Sequence, residues 1–136
     1  MNKQEQSAVN PWAEAEVISV YTRAQALEDG VLVDLTDWAR EAGFKLPVAV
    51  TQGVWCVLTP SKELAAEGQD VAGRAWDMFT ILRHAIRGGG NTDTVYFAPL
   101  FTREVGREAE GVEMYAKCGP GDNAEPVITV MLRGED

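Results

Sequence analysis

The spacing of apolar residues changes along the chain near Thr92. Before this point, apolar positions recur every three to four residues in the clearest segment, and after it they alternate with polar ones. The first period is that of an amphipathic helix and the second that of a half-buried strand. Helices gathered before strands favour an α+β fold, with a long helix packed on one face of a small sheet.

The clearest predicted helix runs from Asp70 to Arg87. Its apolar stripe consists of Val71, Ala75, Met78, Phe79, Leu82, Ala85 and Ile86. Arg83 and Arg87 fall in the last turn, where the helix dipole favours cations. The glycines of "GGGN" then end the helix.

Two shorter helices with local end signals precede it. Thr22 and Gln25 have the spacing of a capping box, and Gly30 stands where a helix can end in the left-handed region. The next helix is predicted to start at Thr36 as its N-cap and to end at Gly43. A short helical turn or exposed loop is expected over 59–69.

For the other apolar runs, the choice between strand and helix is less clear. "EVISVYT" favours a short strand from Val17 to Tyr21, and "VLVDLT" is a second short apolar run. In "LPVAVTQGVWCVL" the spacing of Val50, Val54 and Leu58 suits a helix, whereas Gly53 and the β-branched content argue against one. The helix is the preferred interpretation.

The last part of the chain predicts three strands, "DTVYFAPLF", "GVEMYAKC" and "PVITVMLR", in an antiparallel meander. Alternation places Cys118 on the face of Met114 and Ala116, so its thiol is expected to face the core. The predicted architecture is α+β: N-terminal short helices and one long amphipathic helix pack on a small C-terminal antiparallel β-meander. Residues 14–136 form a single domain behind a flexible N-terminus of residues 1–13.

Composition narrows the setting of this domain. The chain has 136 residues, of which 46% are apolar and 24% charged, as in one globular domain. Its net charge of −9 disfavours unspecific association with nucleic acid or anionic lipid. It shows no apolar run long enough to span a bilayer and no apolar signal segment, and its two cysteines are lone. We therefore expect a cytoplasmic protein with free, mostly buried thiols.

No catalytic constellation is visible. His84 is the only histidine and has no nearby orienting carboxylate in the sequence, which disfavours a catalytic triad. Cys56 and Cys118 lie far apart, and no calcium-loop motif occurs among the acids. The glycines of "GGGN" follow a helix end rather than precede a helix start, the wrong order for a phosphate loop. No catalytic residue, metal or cofactor is predicted.

Two sets of charged residues are candidate contacts. Five acids close together could present a negative face to a basic partner: Glu28, Asp29, Asp34, Asp37 and Glu41. The alternative contact, for a phosphate or nucleic acid, consists of Arg83, Arg87 and Arg103. Among the tryptophans, Trp55 and Trp76 are expected in the core and Trp38 partly exposed.

The loop "GPGDNAEP" joins the last two predicted strands. Glycine, proline and Asx residues are those that turns require, so a hairpin connection is the preferred interpretation over a phosphate cradle, which would need a following helix. Asp122 and Glu125 are the loop residues to test by mutation.

Three stretches together resemble an uncharacterised family, a domain of unknown function, of small bacterial proteins encoded on phages, plasmids and other mobile elements. They are "VYTRAQALEDGVLVDLT", "REAGFKLPVAVT" and "CGPGDNAEPVITVMLRGED". The resemblance runs from about Ile18 to Asp136 with a variable middle. It transfers no activity or catalytic residue and implies an accessory role in a mobile element.

The expected function is therefore non-enzymatic binding of a host or element-encoded protein that has a basic surface. Such binding could inhibit a host defence or nucleic-acid-handling complex, in the manner of an anti-CRISPR protein. The alternative is a nucleotide- or phosphate-ligand binder, or an enzyme, that uses Arg83, Arg87 and Arg103. Direct nucleic-acid binding is not expected, and the protein is expected to be a monomer or a small homo-oligomer.

Overall fold

The structure, a computed structural model, describes residues 21–89 and 92–135. The predicted flexible segment 1–13 and all but Tyr21 of the predicted strand at 17–21 lie outside these residues. The described part combines helices with a mixed sheet, so the predicted α+β class is confirmed.

The elements follow one another along the chain with short connections. The helices are α1 (Arg23–Glu28), α2 (Thr36–Glu41), α3 (Gln52–Leu58), α4 (Lys62–Ala66) and α5 (Val71–Gly88). The strands are β1 (Leu32–Asp34), β2 (Val48–Thr51), β3 (Thr94–Phe97), β4 (Leu100–Phe101), β5 (Glu110–Gly111), β6 (Met114–Pro120) and β7 (Pro126–Leu132).

The main sheet has the strand order β1-β2-β7-β6-β3. The predicted antiparallel meander is present as β3, β6 and β7, with Met114 opposite Leu132 between the last two. Strand β7 also pairs in parallel with β2, where Val48 lies opposite Ile128, and β1 adds to β2 in antiparallel fashion. The sheet is thus larger than predicted and draws two strands from the N-terminal half. Strands β4 and β5 form a separate two-stranded ribbon.

The helical interpretation of the segment before Gln52 is wrong. Val48–Thr51 forms β2, and α3 begins directly afterwards, with the Thr51 side chain accepting a hydrogen bond from the Val54 amide. Val50 and Val54 are both fully buried in the same core. Because a strand and the helix that follows it bury these residues against one core, their spacing imitated a continuous helix.

Helix α5 packs on one face of the sheet through its predicted stripe. Ala75, Met78, Phe79 and Leu82 are buried, and Phe79 contacts the ring of Phe44 with 5.4 Å between centroids. A fully buried side chain of this size stabilises a fold by about 1.5–3 kcal/mol. This cluster is part of the shared apolar core, while Ile86 at the end of the predicted stripe is exposed.

Two local predictions need correction. The thiols are not buried: Cys56 is exposed on α3, and Cys118 shares the face of Ala116 but is exposed because it lines a cavity beside Ile86, where α5 is ending. Thr36 is not an N-cap: Leu35 holds that position, and the Asp34 carboxylate accepts a hydrogen bond from the Thr36 amide at 3.0 Å. An aspartate two residues earlier thus takes the role that the pattern assigned to a threonine.

Arg74 ties the start of α5 to its surroundings. Its guanidinium is buried and donates to the Val57 carbonyl at 2.7 Å, to the Gln69 side chain and to the Thr102 carbonyl. It also lies 5.3 Å from the centroid of the Phe101 ring. Val57 is in the last turn of α3, whose negative dipole end favours a cation. Burial, and to a lesser extent the charge of Arg103, lowers the pKa of Arg74.

We predict that Arg74→Lys lowers the free energy of unfolding by about 2–4 kcal/mol, because an ammonium cannot reach all the acceptors that the planar guanidinium holds and leaves them buried without partners. Urea denaturation would measure the change. Arg87→Lys is the matched control, since Arg87 is exposed on the same helix, and it should leave stability unchanged. Equal stability of the two variants would contradict this role of Arg74.

Candidate functional site

The predicted acidic residues lie on α1, β1 and α2, three elements that follow one another along the chain. Glu28 and Asp29 stand at the end of α1, Asp34 ends β1, and Asp37 and Glu41 belong to α2. All five are exposed, and β1 is an edge strand. These five residues are called the acidic surface below.

The members of the acidic surface differ in what they already bind. Asp29 accepts a hydrogen bond from the Tyr21 hydroxyl at 2.6 Å, which raises the pKa of Tyr21. Asp37 pairs with Arg40 at 3.4 Å, and both of these side chains are exposed. Within the described part of the chain, Glu28 and Glu41 have no hydrogen bond or ion pair. They are the carboxylates of this surface that are most available to a partner.

The three arginines of the alternative site do not converge. Arg83 donates to the Ala42 carbonyl at 2.8 Å, where α2 has just ended. Arg87 is exposed one turn further along α5. Arg103 is close enough to Arg74 for its charge to affect that side chain, and Arg87 lies roughly 20 Å further along the helix axis than Arg74. A single phosphate therefore cannot contact all three in this arrangement.

The loop between β6 and β7 is built around its two acids. Asp122 accepts hydrogen bonds from the backbone amides of Arg23 at 2.8 Å and Ala24 at 2.9 Å, the first two residues of α1. The Thr22 hydroxyl accepts a hydrogen bond from the next amide, that of Gln25. The Gln25 side chain accepts one from the Thr22 amide, which completes the predicted capping box. The loop and Thr22 together satisfy three amides that a helix start leaves open.

Glu125 has a role inside the loop. Its carboxylate accepts from the Asn123 amide at 3.0 Å, and a Cβ at Gly121 would lie only 2.3 Å from the Glu125 oxygen. Ala124 has a φ of 65° and donates its amide to the Gly121 carbonyl. Asp122 thus binds amides at the start of α1 and Glu125 binds an amide of the loop itself, so both acids have contacts within the fold.

A groove of about 420 Å³ lies between α1 and the β6–β7 hairpin. Arg23 crosses it and donates to the Thr129 hydroxyl at 2.7 Å and to the Ile128 carbonyl at 3.0 Å. Burial lowers the pKa of Arg23, while the nearby carboxylates of Asp34 and Asp122 oppose that shift. Sequence reasoning missed this groove because its walls come from opposite ends of the chain.

A second groove, of about 460 Å³, lies between the start of α5 and β4. Trp76 lines it with 52% of its surface exposed, so the prediction of a core position for Trp76 is wrong. Trp76 stands beside the buried stripe of α5 rather than within it, and its apolar neighbours in sequence concealed this. Trp38 and Trp55 are half-buried and stack with 6.4 Å between centroids, as expected for a partly exposed Trp38.

The described residues offer few other functional features. Residues 21–89 and 92–135 contain no cluster of three or more His, Cys, Asp or Glu that could hold a metal ion. None of the helices described in the structure is both long and apolar enough to cross a membrane.

Comparison with known proteins finds a family but no characterised relative. The model of a family of unknown function, DUF6573, matches residues 9–136. No curated protein and no solved structure matches the chain.

Removing the Asp122 carboxylate should weaken the attachment of α1. We predict that Asp122→Ala lowers the free energy of unfolding by about 1–2 kcal/mol, because two amides at the start of α1 lose their acceptor. Asp122→Asn should have a smaller effect, since its amide retains one oxygen. Chemical denaturation would compare both with Glu108→Ala, an exposed acid without a partner in the described structure. If Asp122→Ala were no less stable than this control, the capping role would be refuted.

Proposed function

The chain belongs to DUF6573, and we propose that it is a non-enzymatic accessory protein that binds a protein partner through the acidic surface. The observation that carries the proposal is the exposure of all five acids on the consecutive elements α1, β1 and α2, where Arg40 pairs with Asp37 and Arg23 lies near Asp34. An unbalanced group of carboxylates of this kind attracts a surface rich in lysine and arginine.

The charge of the whole molecule supports the same kind of partner. A net charge of −9 produces a long-range field that speeds encounter with a basic protein and repels nucleic acid. Proteins that handle nucleic acids carry basic surfaces, because phosphate neutralisation supplies much of their affinity. A small acidic protein can occupy such a surface and block it.

The resemblance to proteins of phages and plasmids supports a role in a mobile element. We propose that the protein acts in the cytoplasm for a mobile element, by occupying the basic surface of a host defence or nucleic-acid-handling complex as an anti-CRISPR protein does. The alternative, a nucleotide- or phosphate-binding protein or enzyme using Arg83, Arg87 and Arg103, has less support, because these side chains do not converge.

The test changes only the two acids of this surface that have no partner in the described structure. We predict that Glu28→Lys combined with Glu41→Lys weakens partner binding roughly tenfold, about 1.4 kcal/mol, because two attractions become repulsions. Proteins retained from the host lysate at low and moderate salt would be quantified by mass spectrometry. The affinity of a purified partner would then be measured by calorimetry.

The control carries the same change of charge elsewhere. Glu63→Lys combined with Asp93→Lys reverses two exposed acids that belong neither to the acidic surface nor to the second groove, and it should leave the retained proteins unchanged. The proposal fails if both double variants retain the wild-type set, or if no retained protein has a basic surface.

A further inference from the structure

The second groove described above has the shape and chemistry of a docking site. It is bordered by Asp70, Gly73, Trp76 and Asp77 on α5 and its N-cap, and by Leu100 on β4. These residues define what is called the Trp76 groove. None of them belongs to the acidic surface, so the two sites can be tested independently.

A notch lies at the centre of this groove. Asp70, Gly73 and Asp77 have the spacing i, i+3, i+7 and therefore share one face of the helix. Gly73 has no side chain between the two carboxylates. A Cβ built there would meet only an oxygen of Asp70, at 3.0 Å, so the space above it is open.

The charges that a ligand would meet in the groove are negative. Arg74 also lines it, but its guanidinium is buried and engaged by Val57, Gln69 and Thr102. One oxygen of Asp70 accepts from the Gly73 amide, and Asp77 has no hydrogen bond or ion pair within the described residues. Two exposed carboxylates therefore flank the notch.

The remaining walls are apolar and unusually exposed. Trp76 and Leu100 have 52% and 65% of their surface accessible. Tryptophan is enriched among the residues that dominate binding energy at protein interfaces, and its indole is the strongest aromatic partner for a cation. An apolar wall next to two carboxylates matches a side chain with an aliphatic stem and a positively charged head.

We propose that the Trp76 groove binds an arginine side chain presented by an exposed segment of a protein partner. The guanidinium lies over Gly73 between Asp70 and Asp77, and the stem packs against Trp76 and Leu100. Arginine fits better than lysine, because its planar head can form two parallel hydrogen bonds with a carboxylate, whereas an ammonium acts as a point charge.

Nuclear magnetic resonance on the full ¹⁵N-labelled chain would test the proposal. The probe is the tripeptide acetyl-Leu-Arg-Leu-amide, and its neutral control contains citrulline, which has nearly the shape of arginine without the charge. We predict a saturable shift of the Trp76 indole signal, which Trp76→Phe identifies, with the arginine peptide. The shift should weaken at high salt, and the citrulline peptide should produce little or none.

Three variants separate this site from a general effect. Gly73→Ala places a methyl group in the notch and should weaken peptide binding at least fivefold, and Asp77→Asn should weaken it by a similar factor. Gly88→Ala is the matched control, because a Cβ at this other α5 glycine meets nothing within 4 Å. Alanine favours a helix, but at position 73 its methyl group crowds the Asp70 oxygen that caps α5, so thermal unfolding should show that both glycine variants are still folded at the temperature of the titration.

The proposal is overturned if Gly73→Ala and Asp77→Asn bind the arginine peptide as wild type does, or if the citrulline peptide binds equally well. It is also overturned if uridine monophosphate or inorganic phosphate shifts the Trp76 indole signal and the arginine peptide does not. That result would assign the groove to an anion beside Arg74. Glu28→Lys combined with Glu41→Lys should leave peptide binding nearly unchanged, which distinguishes this site from the acidic surface.

Discussion

The ends of short helices are the constraint on which this structure depends. Helices α1 to α4 are five to seven residues long, so most of their backbone donors or acceptors belong to an end. Several of these ends are satisfied by charged side chains from far along the chain. Asp122 accepts hydrogen bonds from amides at the start of α1, while Arg83 and Arg74 donate to carbonyls at the ends of α2 and α3. In each case the charge opposes that of the helix dipole.

Long-range contacts of the C-terminal segment, including one at a helix start, join the two halves of the chain. Strand β7 pairs with β2 on one side and with β6 on the other, and it is buried from both faces at Val127, Ile128, Val130 and Met131. Just beyond it, the Glu135 carboxylate accepts from the Thr51 hydroxyl at 2.7 Å, next to the start of α3. The C-terminal segment thus supplies both the central strand and the partners of distant helix starts, which makes folding of the two halves interdependent.

Local signals in the sequence were sufficient for some elements. The capping box at Thr22, the left-handed glycines Gly30 and Gly43 and the stripe of α5 all predicted what the structure contains, because each depends on neighbours within a turn or two. The β6–β7 hairpin followed from alternation and turn residues for the same reason. The parallel pairing of β2 with β7 joins residues about 80 positions apart, and no local period records such a partner. A continuous apolar run such as "VITVML" is nevertheless typical of a strand buried on both faces.

The candidate sites also differ in how far the sequence alone could predict their surroundings. The sequence suggested Arg83 as a phosphate contact and Asp122 as a residue of a hairpin turn. In the structure each is held at a helix end that only the folded chain brings near. Exposed acids such as Glu28 and Glu41 were easier to place, since charged side chains without a buried partner remain at the surface. The Trp76 groove could not be predicted from the sequence, because a tryptophan next to an apolar stripe cannot be distinguished by its spacing from a residue of that stripe.

The contacts of the charged side chains also determine which charges are exposed to a partner. Several arginines donate to backbone carbonyls or to nearby carboxylates, as Arg23, Arg74 and Arg133 do. Arg87 and Arg103 are exposed and have no hydrogen bond or ion pair within the described residues. Several acids, among them Glu28, Glu41 and Asp77, have no such contact within the described residues and remain exposed. Part of the positive charge thus holds the fold together, and part of the negative charge stays available at the surface. A molecule arranged in this way favours contact with a basic partner, and the proposed acidic surface and the Trp76 groove are two consequences of that one arrangement.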